Sequence, residues 1–455
     1  MQRTIKNKTF HIISLGCAKN TVDADSMAAL LCRAGYQLVP SHKQAHIIII
    51  NTCGFIDIAK DESYSTLSKF ASRKKSWQVL IAAGCLTQRY GDEIQHRVPG
   101  IDAIIGTRNW MGIVELANNL CDSKADTFGV SSGKTAPSSE GDTHRFALQG
   151  ASAYLKIADG CSRACAFCAI PTIKGPAISR PIEAVISDAK QLQEMGAHEI
   201  VLIAQNSTDY GHDLGMHNGL AHLLTEMTKA IPDVNWLRIM YAFPGFVTDE
   251  LIQVMAIHKQ IVPYLDMPLQ HAHPDVLRRM HRPSNIEWVY KTLDKIRKAI
   301  PGLALRSTFI VGYPNESEQE FQTLLDFIDE IRFDKLGVFK FSFEAGTPSE
   351  ALGDNIPESL KEERLKRLME RQQQISLEHN QEFIGKQLDV LVEGTGDGIS
   401  VGRSYRDAPE VDGLVLIKNV VPVGRIIPVH ITKAMPYDMS GVVDRRWAPH
   451  GNNKF

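Results

Sequence analysis

The sequence has no excess of charge of either sign and no apolar run long enough to cross a membrane. Its 455 residues include 50 Lys and Arg against 52 Asp and Glu, which gives a formal net charge of −2. Without a basic excess, the chain lacks the electrostatic footprint of a non-specific nucleic-acid-binding protein. The apolar run at residues 47–50 has the length of a buried strand, whereas a membrane span needs about 20 residues. We therefore expect no membrane segment and only weak or indirect nucleic-acid binding.

Cysteine is also scarce, with eight residues in the chain, and that number is too small for a dense disulfide framework. The first residues lack the apolar segment of a secretory signal. Both absences favour a reducing compartment, so we expect a cytoplasmic protein whose thiols are available to metals. The hydrophobic content of 44% allows a sizeable core, and the length suggests about three domains.

Three of the cysteines lie together in one short stretch, at Cys161, Cys165 and Cys168. Three thiolates on one loop can hold three irons of a four-iron cluster, and the fourth iron then stays open to a ligand. A structural zinc site is the alternative. Zinc usually takes four ligands in paired short spacings, however, and no fourth Cys or His follows such a spacing here. The motif therefore favours an iron–sulfur cluster with one open iron.

A second group of cysteines is predicted to converge from distant positions. Strand-like runs alternate with helical patterns in the first 122 residues, at residues 10–15, 46–50, 79–83 and 101–105. This alternation predicts a parallel α/β sheet. Cys17, Cys53 and Cys85 each follow one of the first three runs, and the carboxyl ends of parallel strands share one edge of a sheet. We expect a second cluster there, with three ordinary buried cysteines as the alternative.

The middle of the chain repeats a strand–helix rhythm six times, which predicts a partial (β/α)6 barrel over residues 148–378. The six strand-like runs are at residues 153–157, 200–204, 236–240, 261–268, 303–311 and 336–341. Ligand contacts in such barrels come from the carboxyl ends of the strands. Gln205 and Asn206 follow the second run, and Arg306 lies on the fifth. Each of these three residues fits a structural role as readily as a ligand contact.

The remaining segments are a linker and a small barrel. Residues 123–147 are rich in Ser, Gly, Asp and Thr without an apolar period, which is typical of a linker. Alternating runs over residues 379–445 predict a small antiparallel β-barrel. Between residues 386 and 438, six Lys and Arg stand against seven Asp and Glu, so this barrel is not basic. We expect its loop carboxylates Asp407, Glu410 and Asp412 to form an acidic surface that suits a cationic protein partner.

The motifs in all three parts resemble those of the radical S-adenosylmethionine (radical SAM) methylthiotransferases. The likeness covers nearly the whole chain and is carried by residues 15–20, 51–56, 83–86, 161–171, 265–271 and 308–314. It implies an N-terminal methylthiotransferase α/β domain over residues 1–122, a central radical SAM barrel and a C-terminal TRAM-like β-barrel. It also implies a transferase that uses two [4Fe-4S] clusters and two molecules of S-adenosylmethionine (SAM), one as methyl donor and one as radical source.

The resemblance also assigns roles to individual residues. It implies that the radical-generating cluster is held by Cys161, Cys165 and Cys168. It implies that Cys17, Cys53 and Cys85 hold the auxiliary cluster, which carries the sulfur to be transferred. It also implies that SAM is contacted by Phe167, Gln205, Asn206 and Arg306. Asn206 departs from the family pattern, in which an acidic residue follows the glutamine.

Within this family, residues 401–413 resemble the branch that methylthiolates the β-carbon of an aspartate in small-subunit ribosomal protein twelve. That branch implies the ribosomal protein, free or on the ribosome, and an electron-donor protein such as a flavodoxin as partners. The alternative is the sister branch, which modifies an adenosine of tRNA and for which a basic C-terminal barrel is expected. A non-enzymatic iron–sulfur sensor is a further alternative, but a sensor has no need of a six-unit barrel with two incompletely ligated sites.

Overall fold

Three architectures follow one another along the chain in the computed structural model, which describes residues 8–121, 129–131 and 143–443. They are an open parallel sheet, an open barrel-like sheet and a small closed barrel. The predicted fold class is therefore confirmed. In the described part of the chain, no helix combines the length and apolar character that a membrane span requires.

The first unit is a parallel sheet of six strands in the order β2-β1-β3-β4-β5-β6. Alternate residues of its central strand face opposite sides, because Ile47 and Ile49 join one buried cluster while Ile48 and Ile50 join another. Both faces are thus covered, as in other parallel sheets. The elements are β1 (Thr9–Ser14), α1 (Ala18–Arg33), β2 (Gln37–Leu38), β3 (Ile47–Thr52), α2 (Asp57–Arg73), β4 (Val79–Gly84), α3 (Cys85–Arg97), β5 (Ala103–Gly106), α4 (Ile113–Cys121) and β6 (Gly129–Ser131).

Most of the predicted linker, residues 123–147, lies outside the described residues. Its described part contributes β6 to the first sheet and the start of a strand to the second. The exact domain boundaries stay predictions.

The second unit holds all six predicted barrel strands as parallel neighbours, with one added antiparallel strand, in the order β15-β14-β13-β12-β11-β8-β7. Within the described residues the two edge strands do not pair, so the barrel is open on one side. The strands are β7 (Phe146–Gln149), β8 (Ser152–Lys156), β9 (Ala158–Asp159), β10 (Ile178–Ser179), β11 (Glu199–Ile203), β12 (Trp236–Ile239), β13 (Ile261–Asp266), β14 (Ala304–Val311) and β15 (Lys335–Lys340).

The helices of this unit cover the outer face of the sheet through their apolar sides. In the helix from Glu318 to Ile331, Ser317 and Glu320 form a capping box, and Phe321 and Phe327 are buried in the core. The helices are α5 (Ile170–Lys174), α6 (Ile182–Glu194), α7 (Gly219–Ala230), α8 (Asp249–Ile257), α9 (Pro274–Arg279), α10 (Ile286–Ala299), α11 (Glu318–Ile331) and α12 (Glu358–Gln381).

The third unit is a closed five-stranded barrel in the order β16-β17-β18-β20-β19. Its pairs are antiparallel as predicted, except that β18 and β20 run parallel. The strands are β16 (Gln387–Gly396), β17 (Ile399–Ser404), β18 (Val415–Ile417), β19 (Ile426–Ala434) and β20 (Met439–Val443).

The prediction that three loop carboxylates form an acidic docking surface is wrong. Asp407 is buried and pairs with Lys335 of β15 at 2.6 Å. Asp412 accepts a hydrogen bond from the Tyr264 hydroxyl of β13 at 2.7 Å. Only Glu410 is exposed. The loop packs against the central barrel, and side chains of the barrel strands supply the partners of its carboxylates.

Candidate functional site

The three N-terminal cysteines lie at one edge of the first sheet, as predicted. Cys17 follows β1, Cys53 follows β3 directly, and Cys85 is the first residue of α3 after β4. These three strands are neighbours in the sheet, so their carboxyl ends adjoin. The loops are close-packed, because a Cβ added at Gly16 would lie 3.0 Å from Cys53 Sγ. We call Cys17, Cys53 and Cys85 the N-terminal triad.

One asparagine ties the loops of the N-terminal triad together. Asn20 donates from Nδ2 to the carbonyl oxygens of Leu15 and Thr52, at 2.8 and 3.0 Å. Its Oδ1 accepts from the Cys85 thiol at 3.7 Å. Asn20 therefore links the ends of β1 and β3 to the start of α3. This role was not predicted from the sequence, although Asn20 lies only three residues after Cys17.

Burial favours the protonated form of two thiols of the N-terminal triad, Cys53 and Cys85. It raises the pKa of Cys85 to about 12, although the charge of Lys174 acts in the opposite direction. Burial also raises the pKa of Cys53. Thiolates are the form that binds metals, so loading this site must release protons.

The second triad, Cys161, Cys165 and Cys168, lies on the loop between β9 and α5. The loop starts at Gly160, whose φ of 76° lies in the left-handed region. Glycine is required there for a second reason, since an added Cβ would overlap the carbonyl oxygen of Pro176. The Cys161 amide donates to the Gly175 carbonyl at 3.0 Å, which closes the loop on itself. We call these cysteines the barrel triad.

A buried arginine contacts the barrel triad. Arg282 donates from Nη1 to Cys165 Sγ at 3.7 Å, and from Nη2 to the Pro268 carbonyl. Burial raises the pKa of Cys168 to about 12. Nothing in the sequence pairs Arg282 with the cysteine motif, because more than a hundred residues separate them.

The two triads are connected by one small buried cluster of side chains. Cys85 packs with Ala169 and Ile173 in one small buried cluster, and Ala169 directly follows Cys168 in the chain. Lys174, the last residue of α5, lies close enough to affect the charge of Cys85 and pairs with Asp23 at 2.9 Å. Helix α5 therefore runs from the barrel triad to the N-terminal triad.

The spacing of the sulfurs separates the two candidate metals. A tetrahedral zinc ion with Zn–S bonds of about 2.3 Å holds its sulfurs about 3.8 Å apart. Among the described residues, neither triad brings all three sulfurs within 4.8 Å of one another. A four-iron cluster does not require such a close approach, because each thiolate binds a different iron.

The predicted SAM contacts occupy different places. Gln205 Oε1 and Asn206 Nδ2 are buried after β11 and have no hydrogen-bond partner among the described residues. That end of β11 adjoins the barrel triad, because Asp209 accepts from Arg163 of the cysteine loop at 2.6 Å. Two orphaned polar atoms beside the cysteine loop fit a polar ligand such as SAM.

The other two predicted contacts have protein partners. Phe167 packs against a buried cluster that includes Met280, Tyr313 and Phe341. Arg306 faces the barrel interior and donates from Nη1 to Asp266 Oδ1 at 2.8 Å, and its Nε lies 3.5 Å from Asp412 Oδ1. Arg306 therefore holds the C-terminal loop in the barrel, and its contact with SAM stays a prediction.

Family models match three segments that correspond to the three units. They are described as "Uncharacterized protein family UPF0004" at residues 9–106, "Radical SAM superfamily" at residues 155–328 and "TRAM domain" at residues 384–443.

Solved structures share the fold at low sequence identity. The radical S-adenosylmethionine methyltransferase TsrM from Kitasatospora setae, solved with cobalamin and a [4Fe-4S] cluster, matches with a TM-score of 0.56 and 12% identity over 87% of this chain and 77% of that chain. The cobalamin-dependent S-adenosylmethionine radical enzyme OxsB matches with a TM-score of 0.52 and 13% identity over 80% and 56%. At such identities the likeness concerns the fold alone.

Full-length relatives are much closer. The chain is 44% identical to the ribosomal protein uS12 methylthiotransferase RimO of Herpetosiphon aurantiacus, over 95% of this chain and 99% of that protein. It is 43% identical to RimO of Roseiflexus sp., over 95% and 96%, and 42% identical to RimO of Clostridioides difficile, over 94% and 97%. The family expected from the motifs is thereby confirmed, and the chain belongs to the RimO family of ribosomal protein uS12 methylthiotransferases.

Proposed function

We propose that this protein methylthiolates ribosomal protein uS12, the small-subunit ribosomal protein twelve, at the β-carbon of an aspartate. In the reaction a carbon-bound hydrogen is replaced by a sulfur that carries a methyl group. The observation that carries the proposal is the buried contact between the two triads, in which Cys85 packs against Ala169, the residue after Cys168. A hydrogen-removing site and a sulfur-donating site must both reach one substrate carbon, and this contact brings them together.

The cysteines have separate tasks in this proposal. The barrel triad holds one [4Fe-4S] cluster and the N-terminal triad holds the other. When bound, the clusters and SAM supply the electron, the hydrogen-abstracting radical, the sulfur and the methyl group. The protein holds these groups in place, and one or more cysteines of each triad are buried: Cys53 and Cys85 in the N-terminal triad and Cys165 in the barrel triad.

The SAM site is proposed at the carboxyl end of β11. Gln205 Oε1 is an acceptor and Asn206 Nδ2 is a donor, so together they can bind the amino and carboxylate ends of a zwitterionic ligand. Phe167 and Arg306 complete the proposed contacts. A SAM titration of Asn206→Leu, with an expected loss of affinity of about tenfold, tests this assignment.

A tRNA substrate is the second candidate, and the surface of the C-terminal barrel disfavours it. Between residues 386 and 438 the exposed charged residues are evenly mixed; they are Lys386, Asp389, Glu393, Asp397, Glu410, Lys418, Arg425 and Lys433. The same unit exposes apolar side chains, with Val420 66% and Val423 51% exposed. A mixed surface with exposed apolar residues suits a protein partner better than a phosphate backbone.

The electron donor and the compartment belong to the proposal as well. We propose that a reducing protein such as a flavodoxin supplies the electron and that the enzyme acts in the cytoplasm. The need of the radical cluster for an electron supports the first proposal, and the ribosomal substrate supports the second.

The test is a direct competition between the two substrate classes. Reconstituted, reduced protein is incubated with SAM and sulfide in the presence of both uS12 and bulk tRNA, and both products are analysed by mass. We expect uS12 to gain the mass of one CH2S unit on a single aspartate and tRNA to stay unchanged. A methylthiolated adenosine with unmodified uS12 would overturn the proposal.

A further inference from the structure

A cavity of about 240 Å³ lies where the three units meet. Its lining comes from the first unit beside the N-terminal triad, from the inner face of the barrel and from the C-terminal loop; it includes Gly16, Cys17, Tyr154, Met240, Tyr241 and Glu410. Because Cys17 lines it, a side chain inside this cavity is next to the proposed sulfur-donating site. The volume is sufficient for one amino-acid side chain.

A lysine lies beside this cavity, next to the lining residue Ala18 and against the ring of the lining residue Tyr241. Lys19, in the first turn of α1, places Nζ 3.3 Å from the ring centroid of Tyr241, which is a lining residue. Within the described residues, Lys19 has no ion pair with a carboxylate. The buried lysines Lys174 and Lys335, by contrast, each pair with an aspartate. Lys19 is half-buried, and among the described residues its ammonium contacts an aromatic face instead of a carboxylate, so it keeps the capacity to bind an anion.

The support under Lys19 is rigid. Tyr241 has a φ of 63°, and its amide donates to Asp266 Oδ2 at 3.1 Å. Its carbonyl accepts from the Ser207 amide at 3.0 Å, in the segment that follows the orphaned Gln205 and Asn206. The ring under Lys19 is therefore fixed relative to the proposed SAM site. A residue with a positive φ whose backbone amide and carbonyl are both hydrogen-bonded is typical of positions that hold a ligand.

We propose that the Lys19 ammonium binds the carboxylate of the substrate aspartate and so directs its β-carbon between the two triads. The proposal rests on the proposed function and names the group that recognises the acidic side chain. Glu410, which also lines the cavity, repels a carboxylate from the opposite unit, so the attraction at Lys19 fixes its orientation. An uncharged side chain such as asparagine lacks this interaction, so Lys19 makes the site specific for aspartate.

The test compares binding of two uS12 peptides to the reconstituted protein with SAM bound, one carrying the native aspartate and one carrying asparagine. We expect the wild type to bind the aspartate peptide about tenfold to a hundredfold more tightly, which is the effect of a hydrogen bond to a charged group. Lys19→Met should bring this ratio close to one, mainly by weakening the aspartate peptide. Lys19→Arg should keep most of the preference, because it keeps the charge.

The outcomes distinguish a wrong role for Lys19 from a wrong proposed function. The matched control is Lys69→Met, an exposed lysine on α2, which should keep the wild-type ratio. If the wild type modifies uS12 but Lys19→Met retains the aspartate preference, or if the wild type shows no preference, the inference about Lys19 is wrong. If the wild type does not modify uS12 at all, the proposed function is wrong.

Discussion

At the scale of the residue, position distinguishes the six triad cysteines, which we propose as cluster ligands, from Cys32. Five of the six triad cysteines lie on loops that follow strands, and Cys85 begins the helix that follows β4. The N-terminal triad therefore gathers at the ends of neighbouring strands, and the barrel triad lies on one loop. Cys32, by contrast, is exposed on the helix α1, away from any second thiol of a triad. A cysteine on an exposed helix face has no partners with which to share an iron cluster.

Loss of one cysteine should empty one site and spare the other. We expect Cys165→Ala to lower the iron content from about eight to about four per chain and to abolish cleavage of SAM to 5′-deoxyadenosine. Cys53→Ala should show the same iron loss but keep SAM cleavage and lose sulfur transfer. Iron analysis and product chromatography measure these effects. Cys32→Ala is the control and should match the wild type, and loss of iron in that variant would contradict the assignment.

A substitution at Gly160 tests whether the backbone of the cysteine loop requires glycine. Gly160 and Gly150 both have positive φ, 76° and 62°, but only Gly160 has a neighbour that an added Cβ would strike. We expect Gly160→Ala to lower the free energy of unfolding by roughly 2–5 kcal/mol and Gly150→Ala by roughly 1–2 kcal/mol. Urea denaturation measures both. Equal costs for the two variants would show that the Pro176 carbonyl does not constrain the loop.

At the scale of the element, a buried charge network joins the C-terminal barrel to the central one. Arg403 of β17 pairs with Glu199 of β11 at 2.6 Å, and Arg238 of β12 pairs with the same carboxylate at 2.7 Å. Burial raises the pKa of Glu199, but the two guanidinium groups outweigh burial and lower it from 4.5 to about 2. Because the pKa is lowered, this stabilisation is present above about pH 4.5 and is lost as the pH falls toward 2.

Arg403→Met should therefore destabilise the protein and make it more sensitive to acid. We expect the free energy of unfolding at pH 7 to fall by about 3–5 kcal/mol, since a buried charge loses one of its partners. Acid unfolding should begin at a higher pH, because the pKa of Glu199 moves back toward its ordinary value. Urea and acid titrations measure these changes. In the exposed pair Lys229–Glu226, Lys229→Met should cost less than about 1 kcal/mol. Wild-type behaviour of Arg403→Met would refute the role of the network.

The elements were predictable where a periodic pattern was long, and they were missed where pairing is set by distant partners. The six barrel strands could be read from their apolar runs. Strand β7 could not, because it falls next to a polar segment and owes its position to a hairpin with β8. The loop carboxylates Asp407 and Asp412 were misread for a similar reason. Their partners Lys335 and Tyr264 come from strands far away in the sequence, and a local pattern does not show them.

At the scale of the whole molecule, the relative placement of the first unit and the barrel matters for coupling the two sites. Arg89 of α3 bridges them, with Nη1 2.6 Å from Glu344 Oε2 and Nη2 donating to the Ala345 carbonyl at 2.7 Å. Arg89 Nη1 also donates to the carbonyl of Gly54, next to Cys53, at 3.2 Å. This arginine therefore ties the loop of the N-terminal triad to the loop that follows β15.

Arg89→Gln should uncouple sulfur transfer from radical formation. We expect the amount of methylthiolated uS12 per 5′-deoxyadenosine to fall about tenfold or more, since a small displacement of reacting groups is costly. Iron content should stay at the wild-type level. Arg97→Gln, at an exposed position on the same helix, is the matched control and should keep the wild-type ratio. An unchanged ratio in Arg89→Gln would show that this bridge does not position the triads.

The central claim is that two three-cysteine sites act together on one protein substrate. The most direct measurement determines the iron content of anaerobically reconstituted protein and, in the same sample, the intact mass of uS12 after incubation with SAM, reductant and sulfide. We expect about eight irons per chain and a mass gain of one CH2S unit on uS12. About four irons per chain with unmodified uS12 would show that the two sites do not act together on this substrate.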